Sequence, residues 1–116
     1  MAQPEKAFEN KVKGFLKQSG CWFVKTWSNG IQRSGIPDLL VCCNGRFVGA
    51  ELKAPKGKPS ELQLWNLVKI DDAGGFGWLL YPDKFEDFKQ FVFLLNQNLV
   101  GNAKSVYLEK RGWEEV

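Results

Sequence analysis

The sequence predicts an α/β domain in which helices pack against a mixed sheet. Three observations carry that expectation. Two apolar runs flank Asn44–Gly45, the preferred pair for a two-residue type I′ hairpin turn. A strand–helix–strand succession from Arg46 to Tyr81 has the order of a right-handed parallel crossover. Amphipathic helical segments stand before and after these strands.

Taken in order, residues 4–18 read as a helix: Pro4 suits its first turn, and Phe8, Val12, Phe15 and Leu16 form one apolar stripe. Ser19–Gly20 ends it. Residues 21–27 are aromatic and β-branched and read as a strand, and residues 28–36 as a polar, glycine-punctuated loop. Asp38 to Cys43 and Arg46 to Lys53 form the hairpin. Residues 55–59 break the chain, and Ser60 opens a helix to about Ala73, where Ser60-x-x-Gln63 fits a capping box. Gly74–Gly75 closes that helix. Phe76 to Tyr81 is a strand, and Asp83 to about Asn96 a helix on Phe85, Phe88, Val92 and Leu95. Ser105 to Leu108 is expected as a short late strand followed by a loose tail. The order is α-β-β-β-α-β, then α-β. No repeat, linker or low-complexity run divides the 116 residues, so residues 1–116 read as a single domain.

Composition removes several chemistries. The chain has no histidine, which excludes Ser–His–Asp and Cys–His catalysis and the histidine-bearing zinc sites. Cys21, Cys42 and Cys43 are odd in number and lack C-x-x-C spacing, so neither a disulfide framework nor a four-ligand zinc site is expected. They read as reduced, buried cysteines of an intracellular protein. Met1 to Asn10 has no apolar signal core, and Phe91 to Leu95 is too short to cross a bilayer. A soluble, cytoplasmic protein with no membrane association is expected. Residues 1–60 carry ten Lys/Arg against four Asp/Glu, whereas residues 61–116 carry six against nine. A basic half beside an acidic half suggests a polyanion partner such as nucleic acid.

The hairpin concentrates the chemistry. If Cys43 pairs with Arg46, Asp38 falls opposite Glu51, and Lys53 projects from the same face as Glu51. Opposed carboxylates repel, and ionising both is difficult, so the upper pKa of the pair should rise. A divalent cation would offset the repulsion, since Mg²⁺ is commonly held by one or two carboxylates plus waters. Lys53 could then hold a phosphate or orient and deprotonate a metal-activated water. The alternative is a salt-bridge cluster in which Lys53 bridges Asp38 and Glu51. Hairpin geometry alone leaves both open. Near it in sequence, Ser28, Asn29, Gln32, Arg33 and Ser34 of the preceding loop, with Lys25, Lys56 and Lys58, are candidate phosphate contacts; for each one singly, a solvated surface residue is the competing reading. Trp22, Phe23, Trp27 and Trp65 are expected in the core.

Gly35-Ile36-Pro37-Asp38 followed by Glu51-Leu52-Lys53 resembles the PD-(D/E)XK signature of the restriction-endonuclease-like superfamily. The wider pattern is similar to the VRR-NUC (virus-type replication-repair nuclease) family in its small stand-alone form. It comprises Glu9, Gly20, Asn29–Gly30, Gly35 to Leu39, Glu51 to Lys53, Pro55 to Lys58 and Ser60 to Trp65. The resemblance covers about residues 5–81 and leaves 82–116 as an extension with an added helix and short strand. It implies a restriction-endonuclease-like core and a Mg²⁺-dependent DNA endonuclease, with Mn²⁺ able to substitute and no nucleotide cofactor. Asp38, Glu51 and the Leu52 carbonyl would ligate the metal, Glu9 rather than Glu5 would complete its shell, and Lys53 would be the catalytic lysine. Gln63 would lie at the edge of the active site, which is compatible with its capping role. Small members of this family look like homodimers that resolve four-way (Holliday) junctions. Apolar groups nearly all round the helix after Ser60 suggest a second covering surface, supplied either by another copy or by the C-terminal helix. A catalytically inactive nucleic-acid-binding module on the same fold is the rival reading.

Overall fold

Helix ends and one tight turn set the path of the chain. In the computed structural model, which describes residues 4–27 and 34–114, helix α1 spans Pro4–Gln18. It closes in a Schellman motif, with Gly20 N–H donating to Lys17 O and Cys21 N–H to Leu16 O. Strand β1 is Trp22–Lys25, β2 is Leu39–Cys43 and β3 is Arg46–Leu52. Between β2 and β3, Asn44 and Gly45 take φ of 50° and 82°, the two positive values that a type I′ turn demands. The ladder runs from Cys43 opposite Arg46 to Leu39 opposite Ala50, as expected. Carried one pair outward, that register sets Asp38 beside Glu51. Helix α2 (Glu61–Asp72) starts with the capping box between Ser60 and Gln63. Strand β4 (Phe76–Leu80) follows, then a 3-10 turn at Pro82–Lys84, α3 (Phe85–Asn96) and α4 (Val100–Lys110).

The sheet order is β1-β2-β3-β4, antiparallel except for the parallel pair β3 and β4. Leu39, Val41, Val48, Ala50, Leu52, Phe76, Trp78 and Leu80 supply its inner face. They meet Phe8, Val12 and Leu16 of α1, Phe88, Phe91, Val92 and Leu95 of α3, and Tyr107 of α4 in one core. Trp78 is fully buried at its centre, ringed by Phe88, Phe91 and Tyr107. On the outer face, α2 packs over β3 and β4. The approach is close: a Cβ on Gly77 would lie 2.6 Å from the Leu67 carbonyl oxygen.

Several expectations are corrected. Ser105 to Leu108 lies within α4 and not in a strand. Ala103 and Tyr107, one turn apart, are both buried, and that helical spacing outweighs the local β-like composition. The tail is not loose over its described part. Leu79 N–H donates to Arg111 O at 2.8 Å and Trp113 Nε1 to Gly77 O at 2.7 Å, so residues 111–113 cover the outer edge of β4. The helix expected from Asp83 begins with the 3-10 turn. Phe23 packs against the core as expected, but Trp22, Trp27 and Trp65 are 68%, 68% and 51% exposed. For Trp22 the reason is that α2 does not extend across β1. Trp65 projects from the side of α2 facing away from the sheet. Cys21 and Cys43 are buried, whereas Cys42 is exposed on the outer face between Trp22 and Phe47. Among the described residues, no helix is long and apolar enough to cross a membrane.

Candidate active site

Asp38 is fixed by the segment that precedes it. Gly35, at φ 79°, lies against α2, where Asn66 Nδ2 donates to its carbonyl at 3.0 Å. A Cβ there would meet Leu62 Cγ at 2.6 Å, so the site requires glycine for both conformation and space. Thr26 Oγ1 donates to Pro37 O at 2.9 Å. The Leu52 N–H then donates to Asp38 Oδ2 at 2.9 Å, tying the carboxylate to the opposite strand.

Glu51, on β3, is 3% exposed. Its Oε2 accepts from Gln63 Nε2 at 2.9 Å and pairs with Lys53 Nζ at 3.3 Å. Its Oε1 is buried with no partner. Gln63 performs both of its expected tasks, because its Oε1 accepts from Ser60 N–H at 2.8 Å while its Nε2 holds Glu51. Burial first, and the Asp38 charge second, push the Glu51 carboxyl up to about 7, against the opposing pull of Lys53. The rise expected of a coupled pair is present, with burial as its larger cause.

The helix carboxylate facing inward is Glu9, 7% exposed, whereas Glu5 is exposed. Glu9 Oε2 pairs with Lys6 at 3.3 Å and Lys13 at 3.2 Å, and Oε1 pairs with Lys25 at 3.1 Å. Lys25 reaches Asp38 Oδ1 as well, at 3.4 Å. Burial pushes the Glu9 carboxyl up, but its bonds to Lys25, Lys13 and Lys6 outweigh that and hold it below the usual range. Burial likewise opposes the Lys25 charge, and Glu9 and Asp38 together raise its pKa regardless. Glu5, Lys6, Glu9, Lys25, Asp38 and Leu52 line a cavity of about 290 Å³.

The structure thus gathers Glu9, Lys25, Asp38, Glu51, Leu52, Lys53 and Gln63. Lys56 and Lys58 sit exposed on the loop between β3 and α2, which Tyr81 Oη anchors by donating to Gly57 O at 2.8 Å. Ser34 is exposed. Ser28, Asn29, Gln32 and Arg33, with Gly30, lie outside the described residues. Lys6 and Lys13 were missed by sequence reasoning, although their spacing from Glu9, three and four residues, is the signal for helix ion pairs. Asn66, which orients the Gly35 turn, had no such signal.

Among the described residues, no three His, Cys, Asp or Glu side chains stand close enough together to hold a metal ion. The Asp38 and Glu51 pair still fits a hard cation. It offers only oxygen donors, and Glu51 Oε1 lacks the partner that an ionised buried carboxylate requires. Mg²⁺ needs one or two carboxylates and takes water for the remainder.

No protein-family model and no curated protein matches the sequence. Among solved structures the chain is similar to a VRR_NUC domain, with 28% identity and a TM-score of 0.57 over 66% of this chain and 82% of that one. It also aligns with Archaeoglobus fulgidus Hjc, a Holliday junction resolvase from an archaeal hyperthermophile, at 20% identity and a TM-score of 0.49, over 66% and 67% of the two chains. The chain has the restriction-endonuclease-like fold, a mixed four-stranded sheet flanked by helices. Within that fold, the resemblance to the VRR-NUC family seen in the motifs is matched by the likeness to a VRR_NUC domain.

Proposed function

We propose that the chain is a metal-dependent DNA endonuclease that acts as a homodimer on branched DNA such as four-way junctions. The observation that carries this reading is the Asp38 and Glu51 pair with Lys53 beside it, in which one buried carboxylate oxygen has no partner. The likeness to a VRR_NUC domain supports it. Asp38, Glu51 and the Leu52 carbonyl would hold Mg²⁺ or Mn²⁺, with Glu9 on α1 connected to Asp38 through Lys25. A bound divalent ion supplies Lewis acidity toward a phosphate oxygen and a more acidic water.

The chain's own groups divide the remaining work. Gln63 holds Glu51 Oε2 and leaves Oε1 free, while the Leu52 N–H holds Asp38 Oδ2 and Lys25 reaches its Oδ1. Lys53 presents an ammonium beside Glu51, suited to stabilising charge on a phosphate or orienting water. Lys56, Lys58 and Ser34 are exposed near this end of the sheet and suited to backbone phosphates.

The dimer reading rests on the outer face. Trp22, Cys42 and Phe47 form one cross-strand row there, and Trp22 and Phe47 are exposed. Leu62, Trp65 and Val68 of α2 are exposed too. Helices α3 and α4 pack on the opposite face, so they leave this apolar surface uncovered. Two copies related by a two-fold axis would bring two active sites to one junction, as paired cuts require. A panel of labelled linear, flap and four-way-junction DNAs with Mg²⁺, Mn²⁺ or EDTA tests the proposal. The expected result is cation-dependent cleavage, strongest on the junction. Binding without cleavage would mean an inactive binding module.

A further inference from the structure

Lys25 was a candidate phosphate contact or a solvated residue, but its ammonium stands between two carboxylates from different elements. It lies 3.1 Å from Glu9 Oε1 on α1 and 3.4 Å from Asp38 Oδ1 at the entry to β2. Lys6 and Lys13 touch Glu9 and Lys53 touches Glu51, so among the described ion pairs of this site only Lys25 joins two carboxylates. Its side chain is 23% exposed on the edge strand β1, which gives its flexible stem a route to solvent.

The charge count shows what this geometry does. Four carboxylates (Glu5, Glu9, Asp38 and Glu51) stand with four ammonium groups (Lys6, Lys13, Lys25 and Lys53) around this site. A divalent ion entering that arrangement meets carboxylates already paired with lysines, and Lys25 holds one oxygen of Asp38 and one of Glu9. We propose that Lys25 is the resident cation of the metal-free site: its ammonium neutralises Glu9 and Asp38 until a divalent ion displaces it. This rests on the reading of Asp38 and Glu51 as a metal site. Metal loading is then an exchange of one cation for another, and Lys25 sets its affinity.

The test is calorimetric titration of the whole chain with Mn²⁺, without DNA, beside thermal melts in EDTA and in Mn²⁺. Lys25→Met keeps the stem and removes the charge. It should bind Mn²⁺ at least about tenfold more tightly than the native chain, because no ammonium then competes with the ion for Glu9 and Asp38. It should also melt lower in EDTA and gain more from Mn²⁺. Lys25→Arg keeps the charge and offers a fork that can span both carboxylates, so it should bind Mn²⁺ no more tightly than the native chain. Lys13→Met, which loses a contact to Glu9 alone, should change affinity by less than about threefold. Equal or weaker binding by Lys25→Met, with native binding that depends on Asp38, would overturn this inference and leave the metal site standing. Tighter binding by Lys25→Arg would also overturn it. No carboxylate-dependent binding by the native chain or by Lys25→Met would overturn both.

Discussion

At the residue scale, Glu51 is held under tight constraint. A carboxylate that is 3% exposed, with one oxygen unpartnered, must either take a proton or meet a cation. The two outcomes give a pH prediction. Its carboxyl is raised from the ordinary 4.5 to about 7 in the folded chain. Between those values the folded state keeps a proton that the unfolded chain has released, so stability falls as pH rises and levels off above about 7. The whole fall is on the order of 3 kcal/mol. Melts in EDTA across that range should show it, and Glu51→Gln should flatten it. A native chain whose melting point rises across the same range would contradict the placement of Glu51. Substituting the reactive groups should act on turnover. Asp38→Ala, Glu51→Ala and Lys53→Ala should each cut cleavage at least about a hundredfold while remaining folded by circular dichroism. Asp38→Ala and Lys53→Ala remove no core volume, and Asp38→Ala forfeits the Leu52 N–H bond, worth about 1 kcal/mol, together with the Lys25 ion pair.

At the element scale, helix α2 links the site to the sheet through Gln63, Asn66 and Leu67. Gln63→Ala loses the reciprocal cap and the Glu51 contact together. It should cost about 1 kcal/mol in urea denaturation and lower cleavage as well. Gly77→Ala places a methyl 2.6 Å from the Leu67 carbonyl oxygen, a backbone atom that cannot swing aside. The helix must move, and a destabilisation of about 1–3 kcal/mol is expected. Unchanged stability in Gly77→Ala would mean that α2 sits farther from β4. The hairpin was legible because Asn44–Gly45 leaves a two-residue turn no freedom of register, so Asp38 and Glu51 could be paired from the sequence. The capping box was legible for the same local reason. Helix α4 was not, because Ser105-Val106-Tyr107-Leu108 favours a strand locally and only packing of Tyr107 against Phe76 and Trp78 decides for a helix. Alternation along β1 showed that Trp22 and Phe23 face opposite ways, but which face α2 would cover depends on topology. Lys6 and Lys13 beside Glu9 were missed although their spacing on α1 carried the signal, whereas the link from Lys25 to Asp38 depends on the pairing of β1 with β2.

At the scale of the whole molecule, the two faces of the sheet divide the work. The inner face holds the core between α1, α3 and α4, and residues 111–113 shield the β4 edge. The outer face exposes Trp22, Phe47, Leu62, Trp65 and Val68. Light scattering at micromolar concentration should give twice the 13.2 kDa chain mass, and Trp22→Glu with Trp65→Glu should return it to the monomer. A strict monomer, on and off DNA, would remove the dimer and leave the metal site untouched. The central claim is that Asp38 and Glu51, with Lys53, form a cation-dependent phosphodiesterase centre. Its most direct test is single-turnover cleavage of an end-labelled four-way junction by the native chain and by Asp38→Ala, each with Mg²⁺ and with EDTA. The account predicts product only from the native chain with Mg²⁺. Equal cleavage by Asp38→Ala, or cleavage that persists in EDTA, would contradict it.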